Sequence, residues 1–204
     1  MADPNNKAIM NIRCNQLAHS NVNGRVLEIG VGTGINFPCL HDNPNIESYV
    51  GIEPNVHMYP FFYDFIKKYQ IPFEISLSNA SATDMSDVPS NSIDTVIMTL
   101  VLCSVPDPLP KKVISEVHRI LKPGGKFLFL EHIQADPSVK PVIYGIQRAV
   151  EPVWAIIGDG CRFKPITDYF DDVKNVFSRV EYEKFNLPVP IFFIKDGVKG
   201  ILVK

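Results

Sequence analysis

A chain of 204 residues, 46% hydrophobic and 21% charged, has the size of one domain around one core and a composition that argues against long disorder. Twenty basic residues against 22 acidic ones leave a formal charge of −2, with no Lys/Arg cluster able to track a phosphate backbone, which argues against nucleic acid as substrate. Met1 to Asn23 is polar and has no apolar run of signal-peptide or membrane-spanning length, so a protein without an integral membrane segment, most simply cytoplasmic, is expected.

In chain order, short β-rich runs alternate with segments of helical period, the pattern of a mostly parallel sheet covered by helices on both faces. Strands are predicted at Arg25 to Ile29, Ser48 to Ile52, Phe73 to Ser78, Ile93 to Leu100 and Lys126 to Glu131, with later ones near Arg179 to Asn186 and Gly200 to Lys204. Lys195-Asp196-Gly197 reads as a hairpin turn between the last two. A helix near Val56 to Tyr69 sets Met58, Phe61, Phe62 and Phe65 on one side, expected as core. A second from about Pro110 to Leu121 carries Val113, Ile114, Val117, Ile120 and Leu121 as one apolar stripe and is stopped by Pro123-Gly124-Gly125. Residues 135–170 depart from the strand–helix rhythm; Val142, Ile143, Ile146, Val150, Val153, Trp154 and Ile157 recur there at helical spacing. That excursion is either a lid over a binding pocket or a helix packed on the sheet.

The four cysteines, Cys14, Cys39, Cys103 and Cys161, are far apart and include no CxxC pair. Reduced thiols are therefore expected, and the spacing offers little support for a structural zinc site. His118 lies on the amphipathic helix and reads as a solvated surface residue.

The chemistry is densest at Val26-Leu-Glu-Ile-Gly30-Val-Gly32-Thr-Gly34, where a buried-strand pattern runs into three glycines at alternate positions. Without Cβ atoms such a turn can lie against a ligand, and a nucleotide-like cofactor at the strand's C-terminal end is implied. A dinucleotide turn would read GxGxxG; this one reads GxGxG. Glu53, at the end of the second predicted strand, is placed to accept hydrogen bonds from two ribose hydroxyls.

Glu28 to Gly34 with Ile52-Glu53-Pro54, Ala82-Thr83-Asp84 and Leu121-Lys-Pro-Gly-Gly125 resemble, in the right order over nearly the whole chain, the class I S-adenosylmethionine-dependent methyltransferases. That resemblance implies a single Rossmann-like α/β domain spanning 1–204, with a seven-stranded, mostly parallel sheet and an antiparallel C-terminal strand. It implies S-adenosyl-L-methionine as cofactor, with Gly30, Gly32 and Gly34 at its methionine part, Glu28 organising that part, Glu53 at the ribose, Ala82, Thr83 and Asp84 beside the adenine, and Pro54 also in the cofactor set. Thr99-Leu-Val-Leu-Cys-Ser-Val105, Glu131-His132, Glu151-Pro-Val-Trp154 and Ile157-Gly-Asp-Gly-Cys161 are similar to segments of the methyltransferase-like thiol S-methyltransferases, which adds Thr99 to the cofactor set. Members of that group usually carry a hydrophobic N-terminal anchor for the endoplasmic reticulum or lipid droplets. No such stretch occurs in this sequence, so peripheral association with those surfaces is only what the resemblance implies. Glu53 and Ala82 stand where the group often has Asp and Gly.

Methyl transfer from a sulfonium is an in-line displacement that needs alignment and exclusion of water, with no required metal or covalent intermediate. A thiol acceptor, with a pKa of about 8.5, is already a few per cent ionised near neutrality, so a strong general base is unnecessary. Candidate acceptor-side residues are Cys103, His132 and Asp159 with Cys161. The expected acceptor is a small, lipophilic thiol. The alternatives are a quinone, lipid or other small molecule methylated on oxygen or carbon, and a cofactor-binding interaction protein without turnover.

Overall fold

The computed structural model describes residues 4–158 and 160–204. Seven strands form one sheet in the order β3-β2-β1-β4-β5-β7-β6. They are β1 (Gly24–Ile29), β2 (Ile46–Ile52), β3 (Glu74–Ser78), β4 (Ile93–Thr99), β5 (Leu121–His132), β6 (Arg179–Asn186) and β7 (Asp196–Val203). The first five run parallel, and β7 is antiparallel to both β5 and β6. The strand order reverses between β1 and β4, and open α/β sheets bind ligands beyond the strand ends at such a point.

The central strands are apolar on both faces because helices cover both. On one side α4 (Pro110–Ile120) buries Val113, Ile114, Val117 and Ile120 completely; each contributes roughly 1.5–3 kcal/mol by leaving water. The other side is covered by α1 (Pro4–Gln16), the one-turn α2 (Phe37–Leu40) and α3 (Tyr59–Tyr69), around Leu17, Val26, Phe37, Leu40, Tyr49 and Phe62. Downstream lie α5 (Pro141–Ile157) and α6 (Ile166–Asp171). No helix among the described residues is long and apolar enough to cross a membrane.

Several expectations are corrected. Cys14 and Cys39 are joined in a disulfide that ties α1 to α2, so the four cysteines are not all reduced thiols. Phe61 is exposed, because only Phe62 of the aromatic pair falls on the inward face of α3. Asp196 and Gly197 belong to β7, paired with Asn186 and Phe185, and the connection is the longer 187–195 loop. The Pro123-Gly124-Gly125 segment does not precede β5 but bulges within it: Ile93 pairs with Leu121 and Thr95 with Lys126, with Lys122 bonded to Asp94. His118 is half-buried with its ring edge-on to Phe177, 5.1 Å away, and burial lowers its pKa. In the excursion, Val142, Val153, Ile156 and Ile157 are exposed, while Gln147 is the one fully buried residue described in α5.

Candidate active site

The glycine turn leaves β1 at the switch point. Gly30 has φ +68°, and a Cβ there would lie 2.5 Å from Val101 Cγ2, so the turn can pass the end of β4 only without a side chain. Gly32, φ +52°, faces open space. The Glu53 carboxylate closes the turn from the end of β2, accepting from Gly32 N at 3.0 Å and Asn55 N at 2.9 Å.

Beneath the turn lies a buried polar network. Glu28 accepts from Asn36 Nδ2 (2.9 Å) and from the Tyr49 hydroxyl (2.5 Å). Asn36 Nδ2 also donates to Thr99 Oγ1 (3.0 Å), and Arg13 Nη1 donates to Asn36 Oδ1 (2.9 Å) and Thr99 Oγ1 (2.7 Å). Burial pushes the Glu28 carboxyl up to about 7, against the hydrogen bonds from Tyr49 and Asn36 and the charge of Arg13. The network fixes α1 and the glycine turn against the tips of β1 and β4.

Beside the turn opens a cavity of about 240 Å³, walled by Ile29, Gly30, Pro54, Ala82, Thr83 and Val101, among others. Its size and flat apolar walls suit a purine ring, and the exposed backbone of the turn with the Glu53 carboxylate beside it suits the polar remainder of an adenosyl group. A second cavity, about 290 Å³ and mostly apolar, is lined by Ile9, Leu100, Trp154, Leu187, Val189 and Ile194, with Cys103, His132 and Cys161 also in its wall. Ser104 lines both cavities.

The second cavity is assembled by cross-chain ties. Leu100 holds a left-handed backbone, φ +60°, uncommon for a non-glycine residue, and turns the chain away from the end of β4. Glu131 Oε1 accepts from Val101 N and Leu102 N, both at 3.0 Å, pinning the turn that carries Cys103. Burial drives the Glu131 carboxyl up to about 8. Arg162 N donates to Cys103 O (3.1 Å), and the buried Lys164 ammonium donates to Val105 O, so residues 162–164 lie along 103–105. Arg148 and Glu151 of α5 bind the Phe163 carbonyl and amide. Cys161 is thereby held against Cys103 and His132, with 3.4 Å from its Sγ to His132 Nδ1. The hydrogen bond with Cys103 and the neighbouring imidazole draw the Cys161 thiol well below the ordinary range, while Cys103 is pushed up.

Of the residues singled out by sequence, Gly30, Pro54, Ala82 and Thr83 line the first cavity, while Gly32 and Glu53, bonded to each other, do not form part of its wall. Gly34 packs against Phe37; Glu28 and Thr99 lie beneath the turn, not in the cavity wall. Asp84 is exposed and accepts from Ser86 N. Cys103, His132 and Cys161 come together; Asp159 lies outside the described residues. Sequence reasoning missed Arg13, Asn36 and Tyr49, which follow no motif spacing and acquire their roles only when α1, α2 and β2 are packed. It gave no role to Ser104, although that residue lies within the Thr99 to Val105 segment.

Residues 27–129 match the methyltransferase domain family. The chain belongs to that family, and it is a class I S-adenosylmethionine-dependent methyltransferase. Among its relatives, the thiol S-methyltransferase TMT1B of Rattus norvegicus is 36% identical over 190 residues, covering 88% of this chain and 70% of that protein. The thiol S-methyltransferase TMT1A of Homo sapiens is 29% identical over 191 residues, with the same coverage. The fold is shared with the N-methyltransferase NodS from Bradyrhizobium japonicum WM9, with a TM-score of 0.68 at 12% identity over 100% of this chain and 98% of that one.

Proposed function

We propose that this enzyme methylates the sulfur of a small, apolar alkyl thiol, with S-adenosylmethionine in the first cavity and the acceptor in the second. The observation that carries the reading is that Ser104 lines both cavities, one adenosyl-sized beside the glycine turn and the other apolar with a sulfur- and imidazole-bearing wall. Glu53 would take the ribose hydroxyls, Pro54, Ala82 and Thr83 the adenine, and the backbone of Gly30 and Gly32 the methionine part. When bound, the cofactor supplies an electrophilic methyl carbon on a sulfonium.

The chain's own part is alignment and exclusion of water. Ile9 of α1 and Trp154 of α5 border the acceptor cavity from opposite elements, and α5 serves as its lid. The relatedness to thiol S-methyltransferases supports a thiol over an oxygen or carbon acceptor. Incubation with radiolabelled methyl donor and a panel of alkyl thiols and phenols tests this: labelled thioether with stoichiometric S-adenosylhomocysteine is expected. Faster labelling of the phenols would overturn the thiol assignment.

A further inference from the structure

We infer that Cys103, His132 and Cys161 form a zinc site whose fourth coordination position receives the sulfur of the acceptor. The acceptor half of this inference rests on the thiol reading above; the metal half stands on the side chains alone.

One ligand atom from each of the three residues lies within 4.8 Å of the other two, and Cys161 Sγ is 3.4 Å from His132 Nδ1. Donors around a tetrahedral zinc, at about 2.3 Å for sulfur and 2.05 Å for nitrogen, stand about 3.5–3.8 Å apart. Closing the widest separation by about 1 Å therefore completes the set. Two thiolates and an imidazole are a donor set that favours zinc over magnesium or calcium.

The cluster is also built. Cys103 sits in a turn pinned by Glu131, Cys161 leads a segment bonded to the Cys103 and Val105 carbonyls, and His132 ends β5. His132 Nε2 is buried with no hydrogen-bond partner among the described residues, and the hydrogen bond of the ring's Nδ1 runs to Cys161 within the cluster itself. Structural zinc sites close with four protein ligands, whereas three ligands and an open position mark a reactive one. Here all three residues line the apolar cavity, which puts the open position on the side of the space assigned to the acceptor.

The chemistry balances without oxidant or reductant. An acceptor thiol binds zinc as a thiolate and releases its proton to solvent. Its sulfur lone pair forms the new bond to the methyl carbon while the methyl–sulfonium bond breaks, and that bond's electron pair stays on the departing sulfur as a neutral thioether. The zinc raises the thiolate fraction at neutral pH and fixes the sulfur in line with the methyl group.

Titration of the full chain with cobalt(II), after mild reduction, reads the site directly. One cobalt per chain is expected, with thiolate-to-cobalt charge-transfer absorption and the intense visible bands of four-coordinate cobalt. Zinc should displace it, and ethanethiol should shift the visible bands. Cys161→Ser and His132→Ala should each weaken cobalt binding by about tenfold or more, while His19→Ala, at an exposed imidazole outside the cluster, leaves it unchanged. Absence of the charge-transfer band in the wild-type chain, or an unaltered spectrum in Cys161→Ser, overturns the site; the wild-type measurement holds even if a variant does not fold. Ethanethiol methylation should fall by about tenfold or more on stripping with a chelator and return with zinc. An undiminished rate in stripped enzyme overturns the metal role and leaves the thiol reading intact. Cobalt bound with its full spectrum in an enzyme that methylates no thiol supports the ion site and overturns the acceptor assignment.

Discussion

The two cavities that Ser104 lines, proposed for donor and acceptor, are constructed differently. The donor side is largely one short turn closed by one carboxylate 21 residues on, and its shape is written into backbone dihedrals that glycine permits. The acceptor side draws on α1, the ends of β4 and β5, α5 and the 187–195 loop, and its reactive groups are 29 residues apart or more. A backbone-built half can keep one cofactor while a side-chain-built half is remodelled residue by residue. The contrast teaches where changes in affinity and changes in specificity should fall.

The sharpest way to break that division is Glu53→Ala. Losing a carboxylate that binds the turn and would bind the ribose should lower S-adenosylmethionine affinity by about 100-fold or more, at roughly 1.5–3 kcal/mol per charged hydrogen bond. Calorimetric titration reads it, and equal affinity in the variant would dismantle the donor half. Next comes Cys14→Ser. Opening a loop closed over 25 residues should cost about 3 kcal/mol, seen as a lower denaturant midpoint. Because Cys14 adjoins Arg13, whose guanidinium reaches the network under the turn, cofactor affinity should fall too, linking α1 to the donor side.

Glu28→Gln gives a smaller, pH-dependent effect. With its carboxyl raised from 4.5 to about 7 in the folded protein, Glu28 keeps its proton where the unfolded chain has lost it. Its contribution is therefore fully present below about 4.5 and is lost as pH rises to about 7. The glutamine variant should gain on wild type by about 1–3 kcal/mol between those limits, measured as denaturation midpoints at pH 5 and pH 8; a constant offset would show that Glu28 is ionised throughout. The smallest effect on affinity belongs to Cys103→Ala: binding of S-adenosylmethionine should stay within about threefold while thiol turnover drops, since the side chain lies in the acceptor wall alone. A parallel loss of cofactor affinity would mean that the two halves are not separable.

Legibility followed the same division. The glycine turn and the carboxylate that closes it were readable because a tight turn at positive φ needs glycine locally and the acid follows a countable strand. Arg13, Asn36 and Tyr49 were not, since arginine, asparagine and tyrosine are ordinary surface residues until a tertiary network buries them. Phe61 was misread as core because successive helical residues point about 100° apart, and with Phe62 buried at the centre of the inward face Phe61 falls at its margin. The disulfide was missed because 25 residues of separation say nothing about the distance between α1 and α2.

By itself the sequence determined the strand–helix alternation, the mostly parallel sheet, and the glycine turn with its carboxylate. Each of these rests on periodicity or on the conformational freedom of a single residue, which are properties of short stretches. Tertiary structure alone decided that Cys14 meets Cys39, that Arg13 reaches beneath the turn, and that Cys103, His132 and Cys161 share one wall. Those are contacts across long separations, set by how the helices and loops pack over the sheet, and local propensity carries no information about them.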